Sequence, residues 1–159
     1  MSEPSPFRLI DVKLEEREDF RRTREMEHER EIALYDLLES NSFKPMGSPG
    51  GPYELILRMG ERRLTFDVRL QGGEQHGTFI LSLTPFQKAI KEYFEICDSY
   101  FKAIPNEPST RIESLDMARR SMHNDAAELL RERLKEKIEL DFDTARRLFT
   151  LICVLHMKG

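Results

Sequence analysis

The sequence contains no tryptophan and only two cysteines, and it has no apolar run long enough to cross a membrane. Cys97 and Cys153 both lie in apolar, helix-like stretches, where thiols are more often small buried hydrophobes than disulfide partners. The longest apolar stretch, residues 148–155, is far shorter than the roughly 20 residues that span a bilayer. Because residues 1–6 show no secretory signal either, we expect a protein of the reducing cytoplasm that does not associate with membranes.

The sequence also has little excess of one sign of charge over the other. The 25 basic and 29 acidic residues are mixed along the chain and leave a formal net charge of −4, so no broad positive field attracts phosphate backbones and nucleic-acid binding is disfavoured. A chain of 159 residues with 39% hydrophobic residues has the usual size of one domain. We expect a tail and an edge strand over residues 1–16, followed by a single α+β domain over residues 17–159.

Alternation of apolar and polar residues predicts four strands. A loosely alternating stretch at residues 7–14 indicates an edge strand, and three stretches with clean alternation follow at residues 53–59, 64–70 and 79–83. The short connections between these three favour hairpins, so we expect an antiparallel meander of three or four strands with one apolar face. The segment 43–52, rich in proline and glycine, is predicted to be an irregular loop.

Helical periodicity predicts four helices, which should cover the apolar face of the sheet. In the first, residues 17–40, the highly charged part 17–31 is expected to project into solvent, and the second half should dock through Ile32, Ala33, Leu34, Leu37 and Leu38. Thr84 and Pro85 should cap and begin the second helix, which ends near Ile104. The predicted order is therefore strand, helix, three strands, three helices.

The last two helices are also marked by their ends. Ser109 and Thr110 should open the third helix, which is expected to reach about residue 137. Asp141 or Asp143 should cap the fourth, predicted over residues 144–157. That helix is apolar on nearly all sides, which predicts contacts with several neighbours at once.

Familiar catalytic and metal-binding motifs do not fit this sequence. Asp141 and Asp143 resemble the paired aspartates of the haloacid-dehalogenase phosphatases, but too few residues follow to build that fold, and a helix N-cap is the plainer interpretation. The glycine-rich segment 47–51 lacks the lysine and hydroxyl residue of a P-loop. The histidines have no metal-site spacing, and no nucleophile elbow occurs. We therefore expect no metal and no cofactor, and the sequence leaves open whether the protein is an enzyme.

Several polar residues fall where the last two helices should be apolar. On the third helix, Arg119 and Arg133 lie within the apolar arc and His123 lies at its margin. On the fourth, two arginines occupy the first turns, where the helix dipole disfavours cations. If these helices pack side by side, a pocket for a carboxylate or phosphate would be lined by Arg119, His123, Asn124, Arg146, Arg147 and His156.

A plainer alternative assigns these residues to structure. The arginines would form ion pairs with Asp116, Glu128, Asp141 and Asp143, and His123 would be a satisfied core histidine. An open cleft would favour a ligand site, whereas a closed and fully paired cluster would favour the structural interpretation.

From Ile32 onwards, about four-fifths of the chain resembles an uncharacterised bacterial protein family of the UPF type, found mainly in alphaproteobacteria. The matching stretches are residues 33–38 (ALYDLL), 119–124 (RRSMHN) and above all 141–156 (DFDTARRLFTLICVLH). Because that family has no established activity, the resemblance implies a bacterial cytoplasmic protein and supplies no catalytic residues.

Two functions from different classes remain. The first is a protein-binding or regulatory module that uses a helical surface or an edge strand, with self-association to a homodimer as one form. The alternative is a small enzyme or sensor that binds an anionic metabolite through the arginine and histidine set.

Overall fold

Alternating apolar side chains build a four-stranded sheet in the computed structural model, which describes residues 5–15 and 24–156. The strands are β1 (Leu9–Glu15), β2 (Phe43–Pro45), β3 (Tyr53–Met59), β4 (Arg63–Leu70), β5 (Gln75–Ser82) and β6 (Ile138–Leu140). The order in the four-stranded sheet is β1-β3-β4-β5, and β2 and β6 form a separate two-stranded ribbon. The α+β class and the order of the main elements are as predicted.

The sheet is mixed, which corrects the prediction of a purely antiparallel meander. The hairpins β3–β4 and β4–β5 are antiparallel as expected, but β1 runs parallel to β3, with Val12 opposite Leu55 and Glu15 opposite Arg58. Between β1 and β3 the chain passes through a helix and β2. A crossover of this length lets the chain return in its original direction, which a tight hairpin does not.

Within the described ranges, four helices pack on the apolar face of the sheet and share one core with it. They are α1 (Arg24–Glu39), α2 (Gln87–Ala103), α3 (Ser109–Leu134) and α4 (Phe142–His156). Thr84 makes no side-chain cap, because residues 84–86 form a 3-10 turn before α2 begins. The third helix ends earlier than predicted, because the chain leaves it to form β6. The partner of β6 is β2, which lies within the segment 43–52 that was expected to be an irregular loop.

The fourth helix is buried on several sides, as its sequence predicts. Every residue from Leu148 to Leu155 is buried, and the helix packs against both α1 and α3. Asp141 caps it, because Oδ1 of Asp141 accepts a hydrogen bond of 2.9 Å from the backbone N–H of Thr144. Met157, the predicted last residue, lies outside the described residues.

The first helix differs from its prediction in the face that it buries. Met26, Ala33 and Leu37 are buried, whereas Ile32 and Leu38 are exposed, so the expectation that these two residues dock was wrong. Of the segment 17–31 that was expected to project, residues 17–23 lie outside the described residues. None of the helices in the described ranges is long and apolar enough to cross a membrane.

Candidate functional site

His123 lies at the centre of the buried face of α3, not at its margin. It is only 9% exposed, and the same face buries Leu115, Ala126, Ala127, Leu130 and Leu134. Because α3 packs against both α2 and α4, its buried arc is rotated from the one that the apolar residues alone suggested. The rotation brings His123 inside and leaves Arg133 exposed.

The imidazole of His123 joins α3 to α4. Its Nε2 lies 2.9 Å from Oγ1 of Thr150, and that hydroxyl donates to the carbonyl oxygen of Arg146 at 3.3 Å. The hydroxyl proton is thereby used, so the arrangement fits a tautomer in which Nε2–H donates to Thr150. The ring also stacks on Tyr93 of α2, with centroids 5.2 Å apart, and it tilts against Phe149.

This environment keeps His123 uncharged. Burial lowers its pKa to about 4, and the nearby positive charges of Arg146 and Arg119 act in the same direction. At neutral pH the side chain is therefore a neutral hydrogen-bonding group, which can contact a ligand but contributes no positive charge to an anion site.

Arg119 already has anionic and aromatic partners. Its Nη2 lies 2.8 Å from Oδ1 of Asp116, and its Nη1 lies 3.7 Å from Oε1 of Glu29 on α1. The guanidinium carbon stands 4.5 Å from the centre of the Tyr100 ring. One donor, Nε, is buried without a hydrogen-bond partner among the described residues.

Arg146 is less completely paired than Arg119. Its closest carboxylate, that of Asp143, lies 4.0 Å from Nη1. Its Nε is buried without a partner in the described part of the chain, and the same is true of Oδ1 of Asn124. On α3, Arg119 lies one turn before His123, and on α4 the backbone carbonyl of Arg146 accepts from the Thr150 hydroxyl that contacts the His123 ring, so both arginines lie on helical turns next to that ring.

Two further candidates, Arg147 and His156, lie on α4. Arg147 donates from Nη1 to the carbonyl oxygen of Ser40, at 3.3 Å, and so contacts the end of α1. His156 is half-buried in the last turn of α4. We call Arg119, His123 and Arg146 the central set; of the other three candidates, Asn124 follows His123 on α3, and Arg147 and His156 lie on α4.

The two cysteines are buried beside this cluster and remain thiols. Burial raises the pKa of Cys97 to about 11 and raises that of Cys153 well above its usual value. The thiolate, which is the nucleophile, is therefore scarcely populated at neutral pH. Both residues act as small apolar side chains, as their sequence context indicated.

Two surface clefts lie elsewhere, on either side of β6. One, of about 360 Å³, is lined by residues of α3 and β6 that include Glu128 and Arg131. The other, of about 290 Å³, lies between the segment 44–48 and residues 135–139. None of the six candidate residues lines either cleft. Within the described ranges, no group of three histidine, cysteine or acidic side chains is arranged to hold a metal ion.

A surface feature that sequence reasoning missed is the outward face of α1. Ile32, Tyr35 and Leu38 are 43%, 69% and 38% exposed, and successive members are three residues apart, so they form one stripe along the helix. Glu31 and Glu39, which are also exposed, lie one turn before and one turn after Tyr35. We call these five residues the α1 face. Its sequence signal is an apolar content, over residues 32–38, too large for one side of a helix.

These features define a small α+β protein with a polar cluster between α3 and α4 and an exposed apolar stripe on α1. The chain belongs to the uncharacterised protein family UPF0262, whose family model matches residues 6–158. It is 53% identical to a UPF0262 protein of Allorhizobium ampelinum, over 96% of this chain and 97% of that protein.

Further relatives carry the same family name. A UPF0262 protein of Rhizobium meliloti is 51% identical, with 96% of each chain covered, and one from Brucella canis is 51% identical over 96% of this chain and 95% of its own. No solved structure matches the chain. The resemblance noted from residue 32 onwards therefore extends over nearly the whole sequence.

Proposed function

We propose that this protein is a cytoplasmic protein-binding module, and that the α1 face is its binding surface. The observation that carries the proposal is a stripe of three large apolar side chains exposed on a helix whose opposite side is buried against α4. Large apolar residues grouped on a surface and bordered by polar ones are typical of protein interaction sites. A helix that is fixed by its inner face presents such a stripe at little cost in conformational entropy.

The charge of α1 specifies the kind of partner. The helix contains two arginines and six acidic residues, a formal charge of −4 that equals the net charge of the whole chain. A partner with an apolar groove and a basic rim would complement the α1 face. A second copy of α1 would bring like charges together, which disfavours this face as a homodimer interface.

A site-specific photo-crosslinker tests this proposal. Placed at Tyr35 in living cells, it should capture a distinct protein, whereas the same group at Met117, which is 71% exposed on α3, should not. The captured protein, once purified, should bind the wild type and lose at least tenfold in affinity when Ile32 and Leu38 are replaced by serine. Affinity should also fall with added salt.

Equal crosslinking from Tyr35 and Met117, or a purified partner whose affinity is insensitive to Ile32→Ser and Leu38→Ser, would contradict the assignment. Exposed positions carry little folding energy, so these variants should melt like the wild type. The melting temperature therefore serves as the control for folding.

A second candidate function is recognition of an anionic metabolite by the central set of Arg119, His123 and Arg146. The observation in its favour is that Nε of both arginines is buried without a partner among the described residues, although both charges act on one imidazole. A carboxylate or phosphate between the two guanidinium groups would accept these hydrogen bonds. Asn124, Arg147 and His156 would line the approach to such a ligand.

Titration of the folded protein with inorganic phosphate, followed by the NMR signals of His123, tests this second function. A bound anion would offset the field of the two arginines, so the pKa of His123 should rise with phosphate concentration. Arg146→Gln should weaken that response, whereas Arg120→Gln, an exposed position on α3, should leave it unchanged. A His123 signal that ignores phosphate throughout the titration would exclude an anion site here.

A further inference from the structure

The open edge of β5 has an unusual composition for an edge strand. β5 forms one border of the four-stranded sheet, and its sequence, QHGTFILS, contains no aspartate, glutamate, lysine or arginine. Each of the other three strands in this sheet carries charged residues. Edge strands usually carry charges that discourage pairing with other chains, so β5 lacks this protection in its own sequence.

The charge that covers this edge comes from another part of the chain. The ammonium group of Lys137, just before β6, donates a hydrogen bond of 2.6 Å to the carbonyl oxygen of Ile80. Near the start of β5, His76 is the extra residue at an irregularity in the pairing with β4, and its ring lies 3.2 Å from the carbonyl oxygen of Met46. A bulge of this kind locally ends regular pairing, so the run free for pairing begins after it.

The position of Lys137 identifies which backbone groups point outward. The Ile80 carbonyl that binds Lys137 faces away from β4, and in an antiparallel ladder the outward groups recur at every second residue. The outward set is therefore Thr78, Ile80 and Ser82, whose side chains are all exposed. Lys137 occupies the central acceptor of the three.

We propose that the unpaired edge of β5 is a docking surface for β5 of a second copy of this chain, and that Lys137, by occupying the Ile80 carbonyl, prevents this pairing. A two-fold axis at Ile80 would pair Ile80 with its copy and Thr78 with Ser82, and each pair would exchange two backbone hydrogen bonds. No like charges meet, because all the paired side chains are uncharged. The ammonium group of Lys137 sits on the acceptor that the central pair requires, so docking needs its removal.

Replacement of Lys137 by methionine tests the proposal, because methionine keeps the length of the side chain and removes its charge and donors. Lys137→Met should self-associate at least tenfold more tightly than the wild type in sedimentation equilibrium, and Lys137→Arg should behave like the wild type. Hydrogen exchange should show new protection of the amides of Thr78, Ile80 and Ser82 in the Lys137→Met assembly.

A second substitution distinguishes pairing of the β5 edges from non-specific association. Ile80→Lys places a charge opposite its own copy at the two-fold axis and should return Lys137→Met to the monomeric state. The proposal is overturned if Lys137→Met melts like the wild type and does not self-associate. It is also overturned if the double variant associates as strongly as Lys137→Met. None of these changes touches the α1 face, so the result is independent of the proposed partner binding.

Discussion

The Nε2 atom of His123 lies 2.9 Å from Oγ1 of Thr150 and so connects the centres of α3 and α4 by one buried hydrogen bond. Two arginines lie close enough to lower the pKa of this histidine further than burial alone. A neutral imidazole is therefore part of the folded state, and the stability of the protein should depend on pH through it.

We predict that the free energy of unfolding falls as the pH is lowered from about 6.5 to about 4. The pKa of His123 is about 4 in the folded state, against an ordinary value of 6.5. Below pH 6.5 the unfolded chain binds a proton that the folded chain does not, which favours unfolding until the folded protein also titrates. At 1.36 kcal/mol for each pKa unit, the loss is about 3 kcal/mol in total.

Urea denaturation across this pH range, for the wild type and for His123→Gln, measures the effect. Glutamine cannot be protonated and still offers a hydrogen bond to Thr150. Carboxylates titrate equally in both proteins, so the difference between the two curves isolates His123. Parallel curves would show that His123 has the same pKa in the folded and the unfolded protein.

A second prediction concerns Asp67, which is 1% exposed although it lies on the sheet face opposite the helices. Burial by itself raises its pKa, but hydrogen bonds from Arg69 and Arg58 outweigh this and leave the pKa below its usual value. Both bonds end on Oδ2, at 3.1 Å from Arg69 and 2.9 Å from Arg58. Asp67→Asn should cost about 1–3 kcal/mol of stability, because it leaves buried polar groups poorly matched.

Glu15→Gln provides the matched control for Asp67→Asn. Glu15 contacts the same arginine, with Oε2 at 2.8 Å from Nε of Arg58, but it is mostly exposed. Its loss should cost at most about 1 kcal/mol. Chemical denaturation of both variants checks the ranking, and equal losses would mean that the burial of Asp67 contributes nothing.

Asn41 is the basis of a third prediction, because its side chain joins β1 to the end of α1. Oδ1 accepts from the backbone N–H of Leu9 at 2.7 Å, and Nδ2 donates to the carbonyl oxygens of Leu9 and Leu37, at 3.0 and 2.8 Å. Asn41→Ala would leave these backbone groups without partners and should cost about 2–4 kcal/mol. Ser40→Ala, at an exposed neighbouring position, should change stability by less than about 0.5 kcal/mol.

The strands β3 and β4 and the helix α4 could be predicted, because the side that each element buries produces a simple pattern of apolar residues in the sequence. In β3 and β4 the apolar residues alternate since only one face meets the helices, and α4 is apolar all round since it contacts α1, α3 and the core. The direction of β1 could not be predicted in the same way. Its direction relative to β3 depends on the connection through α1 and β2. The alternation of Leu9 to Leu14 is the same whether the neighbouring strand runs parallel or antiparallel.

The positions of individual residues in the candidate site also depend on contacts between elements, which the pattern of one element does not contain. His123 was recognised as a polar residue near the apolar arc, but its central position depends on contacts with both α2 and α4 that no single helix pattern contains. The strands β2 and β6 have three residues each, too few to establish a period. Lys137 is an ordinary surface lysine in the sequence, and its significance arises only from its contact with Ile80.

The last prediction concerns α4, which we expect to be indispensable for folding. Ile152 is fully buried and belongs to the core shared by the helices and the sheet. Ile152→Ala removes three carbon atoms from close packing and should cost about 2–5 kcal/mol. Met117→Ala, at an exposed apolar position on α3, should change stability by less than about 0.5 kcal/mol. Thermal denaturation of the two variants gives the comparison.

Removal of the whole helix should have a correspondingly larger effect. A chain that ends before Thr144 loses every buried residue from Leu148 to Leu155, and with them the apolar surface that α1 and α3 cover. The stability of a typical domain is only about 5–15 kcal/mol, which is comparable with what the burial of these large side chains contributes. The truncated protein should therefore show no cooperative unfolding transition. A transition at an unchanged temperature would mean that α1, α3 and the sheet form a stable core without α4.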